Sequence, residues 1–164
     1  MTSLEKVKNK IYTNGKAAER VLNSWRKAGE KIVFTNGCFD IVHLGHIEIL
    51  SKASDLGSKL IIGLNSDQSV TRIKGPGRPH MDEYSRALIL ASIEFVDLII
   101  FFSEDTPLNL IQAIKPDILT KGGDYKPSEV VGYEFVKKNK GKVVIIKFVE
   151  GYSSTSLIKR IKKG

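Results

Sequence analysis

From residue 31 onward, short apolar runs alternate with stretches of helical period, and this alternation limits the fold more than any other feature of the chain. The runs at 31–35, 59–64, 96–102, 117–120 and 142–148 are strand-sized and rich in Ile, Val, Leu and Phe. Helical stretches at 43–56, 82–95, 106–114, 130–139 and 156–162 separate and follow them. In the first, Ile47, Leu50 and Ala53 share a face and Gly57 stops the helix. Asp82 is suited to cap the second, and Pro107 fits the first turn of the third. Such alternation predicts an α/β fold of three layers, a five-stranded parallel sheet with helices on both faces. Residues 4–28 read as helical, with Val7, Ile11, Val21, Leu22 and Trp25 among the apolar positions and a break at Asn14-Gly15. The expected organisation is an N-terminal helical extension over 1–30 and one domain over 31–164. Residues 65–79 read as a polar loop.

Open parallel sheets bind ligands beyond the carboxyl ends of their strands. The polar segments TNGCFD, NSDQSVTRIKGPGR, KGGDYKP and EGYSSTS all follow strands, so they should gather on one edge. LGSKL and NKGKV precede strands and belong on the other.

No apolar run approaches the ~20 residues of a membrane-spanning helix, and the start MTSLEKVKNK lacks the apolar core of a secretory signal. Cys38 is the single cysteine, so no internal disulfide forms; it is read as a small side chain filling a turn. A reducing, cytoplasmic location is expected. The net charge of +8 suits small phosphorylated ligands as well as nucleic acid. The basic residues are not interleaved with aromatics, so neither a nucleic acid nor a membrane is expected as a partner.

The stretch TNGCFDIVHLGH holds two of the chain's three histidines, His43 and His46, at the start of a helix just past a strand. Three residues apart, they share a helix face in the first turn, where backbone N–H groups are unpaired and the dipole is positive. That is a natural phosphate site. Gly45 between them would let a bulky ligand approach. Two other readings stay open: packed core histidines, or a metal held by Cys38, Asp40, His43 and His46. The mixed donors and the three-residue spacing weigh against the metal. The chain has neither a G-x-x-x-x-G-K-[ST] loop nor a G-x-G-x-x-G turn after its first apolar run.

NGCFDIVHLGH resembles the signature of the nucleotidyltransferase superfamily related to cytidylyltransferases, whose H-x-G-H core is shared by class I aminoacyl-tRNA synthetases. LNSDQSVTRIKGPGRP, SRALILASIEFVD, EDTPLNLIQAIKPDILTKGGDYKP and EGYSSTSLIKRI are similar to blocks of one family within it, the D-glycero-β-D-manno-heptose 1-phosphate adenylyltransferases. That family occurs alone or as the C-terminal half of a bifunctional kinase–adenylyltransferase. The resemblance spans residues 31–161 and implies a Rossmann-like fold of the H-x-G-H nucleotidyltransferase type. It implies transfer of AMP from ATP to heptose 1-phosphate, giving ADP-heptose for lipopolysaccharide or surface glycan, and pyrophosphate. Mg²⁺ would accompany ATP, with no resident metal site, and a separate sugar kinase would supply the acceptor. A homo-oligomer is left open.

Under that resemblance His43, His46 and Lys74 are the catalytic residues. Asn36, Gly37, Cys38 and Phe39 with Gly45 would hold the nucleotide. So would Lys121, Gly122, Gly123 and Asp124, and the hydroxyl run Ser154, Thr155 and Ser156. Asp40, Asn65, Asp67, Arg72 and Arg86 would meet the acceptor. Alternative readings are a glycerol 3-phosphate cytidylyltransferase, an RNA-binding synthetase-like module and a non-catalytic nucleotide sensor. The chain lacks a K-M-S-K-S-like loop, which weighs against the synthetase-like module.

Overall fold

A computed structural model describes residues 1–148 and 151–163, Lys163 by its backbone alone. Val149 and Glu150, at the end of the last apolar run and the start of EGYSSTS, lie outside the described residues. All strand pairs are parallel, in the order β1-β4-β3-β2-β5-β6. The strands are β1 (Ile11–Tyr12), β2 (Ile32–Gly37), β3 (Lys59–Asn65), β4 (Leu98–Phe102), β5 (Ile118–Gly122) and β6 (Lys142–Ile146). The expected Rossmann-like three-layer arrangement is present, with six strands instead of five. The added strand β1 comes from a stretch expected to be helical; Ile11 and Tyr12 pair with Ile99 and Ile100 of β4. Two residues carry no readable alternation, so only this long-range pairing creates the strand.

Side chains alternate across the sheet with the two-residue period of a strand. Ile32 and Phe34 join Leu98, Ile100 and Leu119 in one core, covered by α2 (Glu19–Lys27), α6 (Leu108–Ile114) and α7 (Tyr133–Lys138). Val33, Ile62 and Ile99 face the other, covered by α3 (Leu44–Ser54) and α5 (Glu83–Ala91), with α1 (Ser3–Lys8) against α5. Burial on both faces explains why these strands read as continuous apolar runs. Asp82 caps α5, accepting a hydrogen bond from the Ser85 N–H at 2.9 Å. Gly57 is not the helix stop: α3 ends at Ser54, and a Cβ at residue 57 would lie 2.5 Å from the Lys31 carbonyl oxygen.

The expected loop at 65–79 contains a further helix, α4 (Asp67–Lys74). Its only buried residues are Ser69 and Val70, so no apolar stripe announces it. Ser66 caps it, accepting from the Ser69 N–H at 3.3 Å, and Arg72 and Lys74 occupy its last turn. The final helix, α8 (Ser154–Lys163), follows residues 151–153. Among the described residues no helix is long and apolar enough to cross a membrane.

Candidate active site

Strand order places β2 between β3 and β5. The chain moves from β2 to β3 and β4 on one side, then returns to add β5 and β6 on the other. The order therefore reverses between β2 and β5, the position at which open α/β sheets bind ligands. A cavity of about 570 Å³ opens at their carboxyl ends, within the range of small-molecule sites. Residues 35–40 line it from β2, Lys121 and Gly122 from β5, and His46 from the first turn of α3. Asn65 and Lys74 contribute from the far side of β2, and Ser154 from the start of α8.

His43 is the extended residue that opens α3, and its backbone N–H donates to Nδ1 of His46 at 3.3 Å. With Nδ1 accepting, the neutral His46 ring carries its proton on Nε2. The two imidazoles lie 3.9 Å apart between centroids at 32°, and the Phe39 ring packs 5.2 Å from His46. Phe39 holds φ 47, a left-handed conformation that costs energy in a residue with a side chain and recurs at functional sites. Gly45 has a different role from the one expected. A Cβ there would lie 3.0 Å from His43 Cε1 and 3.2 Å from Tyr152 Cβ, so its missing side chain makes room for the His43 ring.

Burial, reinforced by His43 and Lys74, pulls the His46 pKa down to about 4. Burial lowers His43 also. Both rings are therefore neutral near pH 7, and His46 presents an N–H donor. A histidine whose folded pKa lies below its unfolded value binds fewer protons when folded, so its stabilising contribution rises with pH. For His46 that contribution is complete above about pH 6.5 and is lost as pH falls through about 4. Acidification across this window is expected to lower the melting temperature of the wild type, and His46→Gln to flatten that dependence. Melting curves of both proteins across the window check this; equal acid sensitivity in the two would place its origin elsewhere.

The pattern described as Cytidylyltransferase-like matches residues 34–160. The chain belongs to the cytidylyltransferase-like family. Among curated relatives, a protein named Bifunctional protein HldE from Nitrobacter hamburgensis is 51% identical over 151 residues, 92% of this chain and 31% of the relative. The Nitratiruptor protein of that name is 52% identical over 144 residues, 88% of this chain and 30% of its own length. The chain thus spans about a third of the relatives it matches. A lipopolysaccharide core biosynthesis protein from Thermoplasma volcanium is 30% identical with TM-score 0.61, covering 76% of this chain and all of its own. Pantoate-beta-alanine ligase from Francisella tularensis, complexed with beta-gamma ATP and beta-alanine, shares the fold at 20% identity and TM-score 0.61, covering 93% of this chain and 76% of its own.

In this cytidylyltransferase-like chain several residues expected to meet ligand are bonded to other protein groups. Arg86 is fully buried. Its guanidinium donates to the carbonyls of Met81 (3.0 Å), Cys38 (2.6 Å) and Asn65 (2.9 Å), and to Asp67 Oδ1 (2.7 Å). Neither Arg86 nor Asp67 lines the cavity; together they tie the turn after β2 to the end of β3. Asp40 does line it, but its carboxylate is taken up by Arg78 Nε at 2.7 Å and the backbone N–H groups of His80 (2.7 Å) and Met81 (3.0 Å). Burial pushes the Asp40 pKa up, while the bonds from Met81, His80 and Arg78 outweigh it and hold the carboxyl below its usual range. So committed, Asp40 does not form a metal cluster with Cys38 and the histidines. Among the described residues no group of three or more His, Cys, Asp or Glu side chains could hold a metal ion.

Arg72 also misses the cavity; it bonds the Ser103 carbonyl and pairs with Asp105 at 3.2 Å. His43 stacks behind His46 outside the cavity lining, and among the described residues its buried Nδ1 has no hydrogen-bond partner. Gly123 lies under the Tyr125 ring, and neither it nor the exposed Asp124 is part of the lining. In the hydroxyl run Ser153 is the cap, accepting from the Ser156 N–H at 3.0 Å, and Ser156 Oγ returns to the Ser153 carbonyl at 2.9 Å. Ser154 Oγ donates to the Ile41 carbonyl at 3.2 Å, fastening α8 to the turn after β2. Thr155 and Ser156 stay outside the cavity. Lys121 does line it, and burial lowers its pKa, with Cys38 acting the other way.

Residues 105–107, after β4, were not foreseen, yet they line the cavity along with Tyr125 and Phe148. The rule that gathers post-strand loops on one edge applied equally to SEDTP. SEDTP is as polar as the other loops but lacks the glycine that each of them contains.

Proposed function

We propose that this chain transfers AMP from ATP to D-glycero-β-D-manno-heptose 1-phosphate, forming ADP-heptose and releasing pyrophosphate. The observation that carries the reading is His46, its Nδ1 engaged by the His43 N–H, sharing one cavity with Lys74 at the sheet's reversal point. The resemblance of four sequence blocks to heptose 1-phosphate adenylyltransferases supports the choice of nucleotide and sugar. Identity of 51% over 92% of the chain with a bifunctional HldE protein is consistent with it.

In the proposed reaction an anionic oxygen of the sugar phosphate attacks the α-phosphorus in line. One P–O bond forms as the bond to the oxygen bridging the α- and β-phosphorus breaks, and that oxygen leaves with pyrophosphate. The nucleophile is already ionised at neutral pH, so no general base is needed. Catalysis then rests on positioning and on stabilising charge as it develops. His46 Nε2–H donates to the phosphate chain, with the His43 ring stacked behind it. Lys74, exposed at the end of α4, supplies a mobile positive charge to the leaving group. Asn36, Gly37, Gly122 and Ser154 form the surface on which the nucleoside rests. Mg²⁺ bound together with ATP would supply further charge neutralisation.

Incubation with ATP, Mg²⁺ and heptose 1-phosphate should release pyrophosphate, with no release when the sugar phosphate is left out. The family description favours CTP as the rival nucleotide, so the same assay is run with CTP and with glycerol 3-phosphate. Faster turnover of that pair would replace the adenylyltransferase reading with a cytidylyltransferase one.

A further inference from the structure

We infer that Asp105 and Thr106, in the loop after β4, form the subsite that recognises the hydroxyl groups of the polyol acceptor. This inference rests on reading the cavity as a nucleotidyl-transfer site. The sheet order sets the geometry. The reversal point lies between β2 and β5, and β4 lies two strands from β2 on the side away from β5. At the usual strand spacing that is about 10 Å. A nucleotide seated over β2 and β5, with its phosphates at His46, leaves the part of the cavity above β3 and β4 for the second substrate. Asp105, Thr106 and Pro107 line that part.

The chemistry narrows what this wall can hold. A carboxylate repels phosphate, so Asp105 does not serve the triphosphate or the acceptor's own phosphate. It is suited to accept hydrogen bonds from hydroxyl groups, and such charge-assisted bonds are the stronger kind. Asp105 Oδ1 is held by Arg72 Nε at 3.2 Å, and a second Arg72 nitrogen bonds the Ser103 carbonyl. Arg72 thus touches both ends of the short turn, with Asp105 itself largely exposed to solvent. Among the described residues no protein group bonds Asp105 Oδ2 or Thr106 Oγ1, so a carboxylate oxygen and a neighbouring hydroxyl remain free at the cavity rim. One acceptor beside one donor–acceptor is the pattern that matches adjacent hydroxyls of a sugar. The same pair explains why Arg72, itself outside the cavity, sits two residues before Lys74: it positions the acceptor wall and the phosphate-binding lysine from one helix.

The test compares wild type with Asp105→Ala and Thr106→Val, measuring pyrophosphate release against each substrate separately and sugar 1-phosphate binding by calorimetry. Asp105→Ala is expected to raise KM and Kd for the sugar 1-phosphate on the order of tenfold to a hundredfold, the scale of one lost hydrogen bond to a charged group. Thr106→Val should act in the same direction but less, and neither should change KM for ATP. Methyl phosphate, an acceptor without the hydroxyls, should not distinguish the variants from wild type. Arg72→Ala should reproduce part of the Asp105→Ala effect, and Arg72→Lys should restore part of the loss. Unchanged sugar affinity in an active wild-type background overturns the subsite alone. A rise in KM for ATP instead would assign Asp105 to the ribose and also overturns it. If wild type neither binds nor turns over sugar 1-phosphates, the adenylyltransferase reading falls together with the subsite.

Discussion

His46→Ala is expected to lower kcat roughly 10²–10³-fold, the scale of removing one hydrogen-bond donor aimed at charge that develops in the transition state. The donor is defined by its surroundings. Nδ1 is engaged by the His43 N–H, and the pKa of about 4 keeps the ring neutral, so the proton sits on Nε2. KM for ATP should rise less than kcat falls, since in the proposed reaction backbone N–H groups and Lys74 would also hold a ground-state triphosphate. Steady-state pyrophosphate release, with a melting curve to establish that the variant folds, decides the matter. A folded His46→Ala protein with near-normal kcat would remove His46 from the chemistry.

Arg86→Ala should cost stability, not merely activity. The substitution leaves the carbonyls of Met81, Cys38 and Asn65 without their donor and strips Asp67 of its partner. Breaking a buried charged network costs roughly 3–5 kcal/mol, and in a domain of this size that corresponds to a melting temperature lower by roughly 6–20 °C. Arg86→Lys keeps the charge but not the planar fork, which spans several acceptors at once, so it should recover only a fraction. Thermal or urea unfolding of both variants tests this. A loss under about 2 °C, the scale of exposed substitutions, would show that the network contributes little. Because the fork joins the turn after β2 to the end of β3, activity should fall with stability, through displaced cavity walls.

Arg86 also marks the limit of what could be read from the chain. It lies one helical turn before Leu90 and next to Ala87, both buried, so spacing alone put it on the inward face of α5. What spacing could not supply were three of its four acceptors, which come from residues 19, 21 and 48 positions away in sequence. Asp40 is similar. Its place in NGCFD marked it as important, but its partners at 78, 80 and 81 belong to a loop whose path depends on how α4 and α5 pack. The position of His46 was legible because its setting is local. A helix start after a buried strand already provides free N–H groups and a positive dipole.

The sequence by itself determined the parallel α/β architecture, since near-continuous apolar runs separated by amphipathic helices can be buried only in a sheet covered on both faces. It also determined that the polar post-strand loops gather at the carboxyl edge, and that the histidine pair opens the helix after β2 there. Tertiary structure alone decided the strand order, and with it the reversal point between β2 and β5. It recruited Ile11 and Tyr12 as a sixth strand, wound DQSVTRIK into a helix and brought Asp105 to the cavity. It also sorted the charged residues into those that meet the cavity and those that hold its walls. Local periodicity reports which face of an element is apolar, whereas pairing between distant strands and the satisfaction of buried charges depend on partners far away in the chain.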